Sequence, residues 1–287
     1  MTIQIGILLA LACAVTTNVA FLLKHRGAVA APAVDVRRPL ASTAGLFRSR
    51  WFALGMAVAL FAWVLHVAAL ALAPLSLVQA VISGGLVFLT FLAEKWFGIR
   101  LGPRQWAGVG CTAVGLALLA ITLPHGTNHS GYSVAAMIAF EASLLAVGCL
   151  LLFSPRFAGH HQHAGILLGL AAGMLFGVSD VAIKAITEGV AATGLVDGLV
   201  SPWLLTCVAA SILAFFASAR GLQKGEAVPV ITMTSAAANV TAISGGILVF
   251  DDPMPGDVLG IVVQCLAFLL VVGAAALMPA PRVAAAH

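Results

Sequence analysis

Long apolar runs alternate with short polar breaks from one end of this chain to the other. A helix needs roughly 20 apolar residues to cross about 30 Å of hydrocarbon. Nine such runs lie at about 3–23, 51–73, 75–97, 105–123, 133–153, 164–187, 201–220, 225–250 and 256–279. At that depth no water is available to backbone N–H and C=O groups, so each run must satisfy its own hydrogen bonds, which a helix does. The pattern predicts an all-α polytopic membrane protein with almost no chain left for a soluble domain. The first run, "MTIQIGILLALACAV", lacks the basic start of a signal peptide and is read as a mature span.

Composition agrees: 62% of residues are hydrophobic, 8% are charged and the mean hydropathy is +1.11. The formal charge of +4 therefore says little about nucleic acid, and its placement says more. Thirteen of the fourteen Lys and Arg fall in loops one, three, five and seven or in the C-terminal tail. The other loops carry Glu188, Asp197, Asp251, Asp252 and Asp257 instead. Basic loops stay in the cytoplasm. The expected arrangement is a multi-pass protein of the plasma (inner) membrane, N-terminus outside and C-terminus cytoplasmic. The five cysteines fall one each in five different runs and form no CxxC, so they read as small buried apolar residues.

The chain also repeats itself. "GILLALA" at 6–12 returns as "GILLGLA" at 165–171, and both open a span that continues to a lysine, Lys24 and Lys184. Five spans separate the two starts, an odd number, so the copies run through the bilayer in opposite directions. "IRLGPRQWAG" (99–108) and "DDPMPGDVLG" (251–260) are matching turns into the last span of each copy. The division is a first repeat over 1–123 with a long basic loop at 24–50, a linking span and His-containing loop over 124–163, and a second repeat with a short tail over 164–287. Loop 24–50 is too polar to span and reads as a solvated cytoplasmic loop near anionic headgroups. Inverted repeats of this kind mark secondary transporters, whose sites lie near the midplane between the copies.

The stretches "WFALGMAVALFAWVLHVAALALAPLSLVQAV" (51–81) and "GIRLGPRQWAGVGCTAVGLALLAI" (98–121) resemble the EamA-like drug/metabolite transporter superfamily. The second half matches more weakly, through "KGEAVPVI" (224–231) and "VFDDPMPGDVLG" (249–260). With "FLLKHRGA" (21–28), the basic loop and the span count, the layout is closest to the NIPA-type magnesium-transporter branch. The resemblance implies two inverted repeats and transport of a small solute or a cation. Two positions depart from the family pattern. The usual Glu of "GERL" is Ile99, with Asp251 at the matching place in copy two, and the Pro after "SLV" is Ala80, with Pro229 retained in copy two. Pro229 would free a carbonyl in mid-membrane or merely kink its helix.

Charges inside a span are costly and ask for a reason. Glu141 sits at the centre of span five with no basic neighbour in sequence. Asp180 and Lys184 share "FGVSDVAIKAI", and their i, i+4 spacing allows them to pair. Either the pair neutralises itself, or Lys184 reaches the interface as an anchor and leaves Asp180 to a cation or proton. Glu141 has the same two readings, a coupling site or a helix-packing hydrogen bond. Asn18, His66, Gln79, Ser179, Thr232 and Asn239 complete the intramembrane polar set, as cavity lining or as interhelical glue.

Gly165, Gly169, Gly173 and Gly177 form a GxxxGxxxGxxxG ridge in span six, which lets another backbone approach closely. The partner would be span one or a second protomer in a homodimer. "HHQH" (160–163) has a metal-like composition but lies in a short loop, and no metal is assigned. No GxxxxGK[ST], HExxH or GxSxG occurs, so neither ATP-driven transport nor common intramembrane hydrolysis finds support. The reading is a non-enzymatic secondary transporter without cofactor, in the lipid bilayer, with no nucleic-acid partner. Glu141 and Asp180 are its candidates for a small-molecule or cation substrate, with Asn18, His66, Gln79 and Asn239 lining the cavity. A membrane scaffold or assembly subunit is the rival from another class.

Overall fold

The computed structural model describes residues 2–32, 34, 38–85, 103–122, 131–153, 161–225, 227–252 and 254–277. Among them there is no strand. The helices are α1 (Thr2–Val29), α2 (Pro39–Phe47), α3 (Arg50–Leu72), α4 (Leu75–Gly85), α5 (Pro103–Thr122), α6 (Val134–Phe153), α7 (His161–Thr193), α8 (Leu195–Leu199), α9 (Pro202–Lys224), α10 (Ala227–Val249) and α11 (Val258–Leu277). Five of these are long and apolar enough to cross a bilayer by themselves, and shorter apolar helices accompany them. The chain is an all-α polytopic membrane protein.

Every predicted span coincides with a helix among the described residues, span three by its first part only. The largest boundary shifts are at α1, which runs to Val29, and α7, which runs from His161 to Thr193. Both continue through polar residues because tertiary partners hold them. Arg26 stacks on the Trp51 ring at 4.1 Å, and Gly27 lets α1 lie against the backbone of Phe52.

The bundle has a basic end, with Arg26, Arg50, Arg220 and Lys224, and an acidic end, with Glu188, Asp252 and Asp257. α1 packs along α3 and α7 along α9, while α5 pairs with α11. The glycine that opens each copy touches the end of the helix beside it. A Cβ on Gly6 would meet Ala73 Cβ at 2.9 Å, and one on Gly165 would meet Gly225 Cα at 2.6 Å. Ala73 and Gly225 are the C-caps of α3 and α9. The same contact therefore recurs at opposite ends of the bundle.

The glycine ridge of α7 lies on α10. A Cβ on Gly169 would sit 2.9 Å from the Val230 carbonyl, and Gly173 and Gly177 face Thr234, Ala237, Ala238 and Thr241. The partner is thus span eight of the same chain, in place of span one or a second protomer. The GxxxG spacing gave the close approach but carried no information about which helix makes it.

Loop 24–50 is not simply solvated. It contains α2, which buries Ser42 and Leu46 and has its N-terminal Pro39 at a position where no N–H is missed. Gln223 of α9 ties the chain before α2: its Oε1 accepts from Val34 N at 2.8 Å, and its Nε2 donates to Pro32 O at 3.0 Å and Ala28 O at 3.3 Å. Gln223→Ala is expected to cost about 1–2 kcal/mol and to speed proteolysis within 30–38, read by limited digestion. An unchanged cleavage rate would show that the loop is held elsewhere. The cysteines also divide: Cys13 and Cys207 are buried, Cys111 and Cys149 intermediate, and Cys265 is exposed on the outer face of α11. Small residues are tolerated equally by core and lipid, which the sequence pattern does not separate.

Candidate functional site

Toward the acidic end the bundle is filled by a core that includes Ala10, Leu70, Leu75, Val78, Met137, Val181 and Phe250. Below this core, on the side of the basic end, lies a cavity of about 210 Å³ between α1, α3, α4, α7 and α10. Asn18, His66, Gln79, Asp180 and Asn239, all expected from sequence, line it together. Trp63 and Phe176 add aromatic wall, and Lys24 and Phe21 lie toward the basic end.

Asp180 is held from two helices. His66 Nε2 of α3 is 3.0 Å from Oδ1, and Gln79 Nε2 of α4 donates to Oδ2 at 2.9 Å. A carboxylate oxygen accepts about two hydrogen bonds, so each keeps capacity for a further partner. The Asp180 side chain is 18% exposed and that of His66 9%. A charged group removed from water survives only when paired and hydrogen-bonded. Here the pairing comes from groups more than a hundred positions away in sequence.

Lys184 does not pair with Asp180. Its ammonium donates to Leu70 O at 3.0 Å and Ala73 O at 3.3 Å, the orphan carbonyls at the end of α3, and it lies 3.6 Å from Glu188. The i, i+4 partner is the acid one turn onward instead of the one before. That choice follows from position: near the end of α3 a cation meets a carbonyl-rich helix terminus, where positive charge is favoured.

Asp252 is a residue the sequence reading passed over in favour of Asp251. Asp251 is exposed and adopts φ 52°, a left-handed turn position that Asp tolerates. Asp252 is buried, and its Oδ2 accepts from Ser76 N at 2.6 Å, capping the start of α4. Gly246 makes this approach possible, since any Cβ there would overlap the Asp252 carboxylate. Burial pushes the Asp252 carboxyl above its usual range, and the bond from Ser76 N–H opposes that shift. A hint existed in the "DDP" pair, but nothing in sequence told which acid turns inward.

Glu141 lies apart from the cavity. It is 3% exposed, its Oε1 has no hydrogen-bond partner, and the Thr206 hydroxyl of α9 is beside it. Close to the acidic end, Tyr132 and Trp203 join by a hydrogen bond, and the Tyr132 ring packs against Phe250 at 5.5 Å with the planes tilted by 60°. Ser179 also faces away from the cavity, toward Ser211 at 2.8 Å and Cys207 at 3.4 Å. The side chains of Pro229, Thr232 and the "HHQH" histidines lie outside the described residues, as do Ile99 and its turn. Among the described residues no group of three or more His, Cys, Asp or Glu is arranged to hold a metal ion.

No family model matches the chain, and no solved structure matches it. Two proteins resemble it over most of its length. An uncharacterized protein of Corynebacterium glutamicum is 28% identical over 257 residues, covering 86% of this chain and 85% of its own. An Arabidopsis thaliana protein named probable magnesium transporter NIPA9 is 25% identical over 288 residues, covering 93% of this chain and 79% of its own.

Proposed function

We propose that this chain is a secondary transporter whose cargo site is the cavity at Asp180. One observation carries the reading: a half-buried carboxylate among the spans faces a cavity, held by side chains from two other helices and still able to accept. Helices of both repeats line that cavity, as alternating access between inverted halves requires. The short helices α2 and α8 fall at matching places in the two copies, between α1 and α3 and between α7 and α9, which supports the inverted repeat. We take the basic end as cytoplasmic, so the cavity faces the cytoplasm and the acidic end is closed. The plasma membrane is the proposed location, and a drug/metabolite-type fold the proposed architecture.

Similarity to a protein named as a magnesium transporter favours a divalent cation as cargo. Mg²⁺ keeps several waters and uses one or two carboxylates, and Asp180 supplies one. Asn18, Gln79 and Asn239 would meet the hydration shell. Asn18 spends one amide donor on Ala14 O at 2.9 Å, which leaves its oxygen for that purpose.

The test is uptake into proteoliposomes holding the purified protein, with and without a pH gradient. A scaffold protein gives no flux under any condition. Dependence on the gradient assigns proton coupling, and its absence removes that part of the reading. Glu141 has no contact with the cavity, so Glu141→Gln is expected to keep flux within about twofold of the wild type, less than the roughly tenfold that 1.4 kcal/mol makes. A larger loss would return Glu141 to the coupling machinery.

A further inference from the structure

The cavity that holds Asp180 also holds a cation. Lys24 lines it toward the basic end, six residues after Asn18, or about 9 Å further along α1. Its ammonium sits 4.2 Å from the centre of the Phe21 ring, a contact that steadies the charge without neutralising it. Gly55 of α3 allows this placement, because a Cβ there would lie 2.8 Å from Lys24 N and 2.9 Å from its Cγ. Among the described residues Lys24 belongs neither to the Lys184–Glu188 ion pair nor to the His66–Asp180 contact, which is an ion pair only when the imidazole is protonated. No carboxylate among the described residues other than Asp180 lines the cavity.

A bare divalent cation entering between these groups is attracted by Asp180 and repelled by Lys24. A simple anion meets the reverse. We propose that the cargo joins a cationic centre to an anionic group, the first bound by Asp180 and the second by Lys24. The proposal rests on the transport reading above and narrows it to a substrate class. Between the two charges the walls are the Asn18 and Asn239 amides and the Trp63 and Phe176 rings, which suit a short, partly apolar linker. Two sources share this chemistry: a small zwitterion, or a divalent cation carried as a complex with a small anion.

Uptake by the full-length protein in proteoliposomes separates them in three arms: Mg²⁺ as chloride, Mg²⁺ with excess citrate, and taurine, betaine and phosphoethanolamine without Mg²⁺. The expected result is that the citrate arm or a zwitterion exceeds Mg²⁺ chloride by about tenfold or more, the scale of one charge-assisted contact. That uptake should fall by a similar factor in Lys24→Gln and return in Lys24→Arg. Which arm responds identifies the source. Equal Mg²⁺ uptake with and without citrate, unchanged or raised in Lys24→Gln, overturns the proposal while leaving the transporter reading in place. No uptake in any arm overturns both. Should Lys24→Gln fail to fold, the wild-type comparison of chloride and citrate and the Lys24→Arg variant decide by the same criteria.

Discussion

Asp180→Asn is expected to abolish flux, by about a hundredfold or more, while leaving the protein folded. Asparagine has the same shape, so the oxygen that accepts from Gln79 can be kept at little cost. What disappears is the charge. His66 faces an amide in place of a carboxylate oxygen, and the cavity loses the carboxylate that would bind a cationic centre. Truncating one member of a buried charged pair costs about 3–5 kcal/mol when the other stays charged. A neutral imidazole can accept a hydrogen bond from the new amide, so the folding cost should be near the lower, neutral hydrogen-bond scale of about 1–3 kcal/mol. Cargo binding has no such escape. The readout is flux per mole of monodisperse protein, with thermal unfolding measured on the same preparation. A folded Asp180→Asn protein with flux within twofold of the wild type would remove Asp180 from the mechanism.

The second large effect belongs to the ridge. Gly173→Val should prevent stable assembly, since even its Cβ would overlap the Thr234 carbonyl and crowd Ala237 and Ala238. Two of the three nearest atoms are backbone and the third is the Ala237 Cβ, none of which can turn aside as a flexible side-chain tip can. Overpacking a close-packed contact costs about 1–3 kcal/mol where side chains can adjust, and more is expected here. Lipid offers α7 and α10 an apolar alternative to each other, so the pair has no hydrophobic driving force in reserve. Loss of the monodisperse peak and a lower unfolding temperature are the measures. Gly110→Ala on α5 is the control: its Cβ would meet nothing within 4 Å among the described residues. Similar behaviour of the two variants would mean that the α7–α10 contact does not limit stability.

The spans were legible in the sequence because a bilayer imposes one simple demand, about 20 apolar residues in a row. Partners were not. Asp180 and Lys184 share a helix face by spacing, yet the acid turns to His66 and Gln79 and the lysine to Leu70 and Ala73. Helix periodicity tells which residues of one helix lie together, whereas these bonds depend on how three helices cross. The same limit hid Asp252, whose partner is a backbone N–H with no mark in the sequence. It also hid Lys24, which sits at a span end where snorkelling is the default, and Glu141, polar and central like Asp180 but placed beside a different helix. Asn18, His66, Gln79, Asp180 and Asn239 stand out in the sequence as polar residues within apolar runs and share the cavity, whereas Thr234, Thr241 and Gln264, also buried, were not singled out.

At the acidic end, two side chains join three segments that are far apart in sequence. Lys184 fastens the C-terminal part of α7 to the last turn of α3, and Asp252 fastens the turn after α10 to the first turn of α4. The α3–α4 corner lies between them, gripped on both sides by charge-assisted bonds in apolar surroundings, where water cannot easily take over. These segments consequently share one fate: a displacement of α7 drags the corner, and the corner drags the turn. Such a cap moves as a block or not at all, and its release needs a competitor for the Lys184 ammonium and for the Ser76 amide at the same moment.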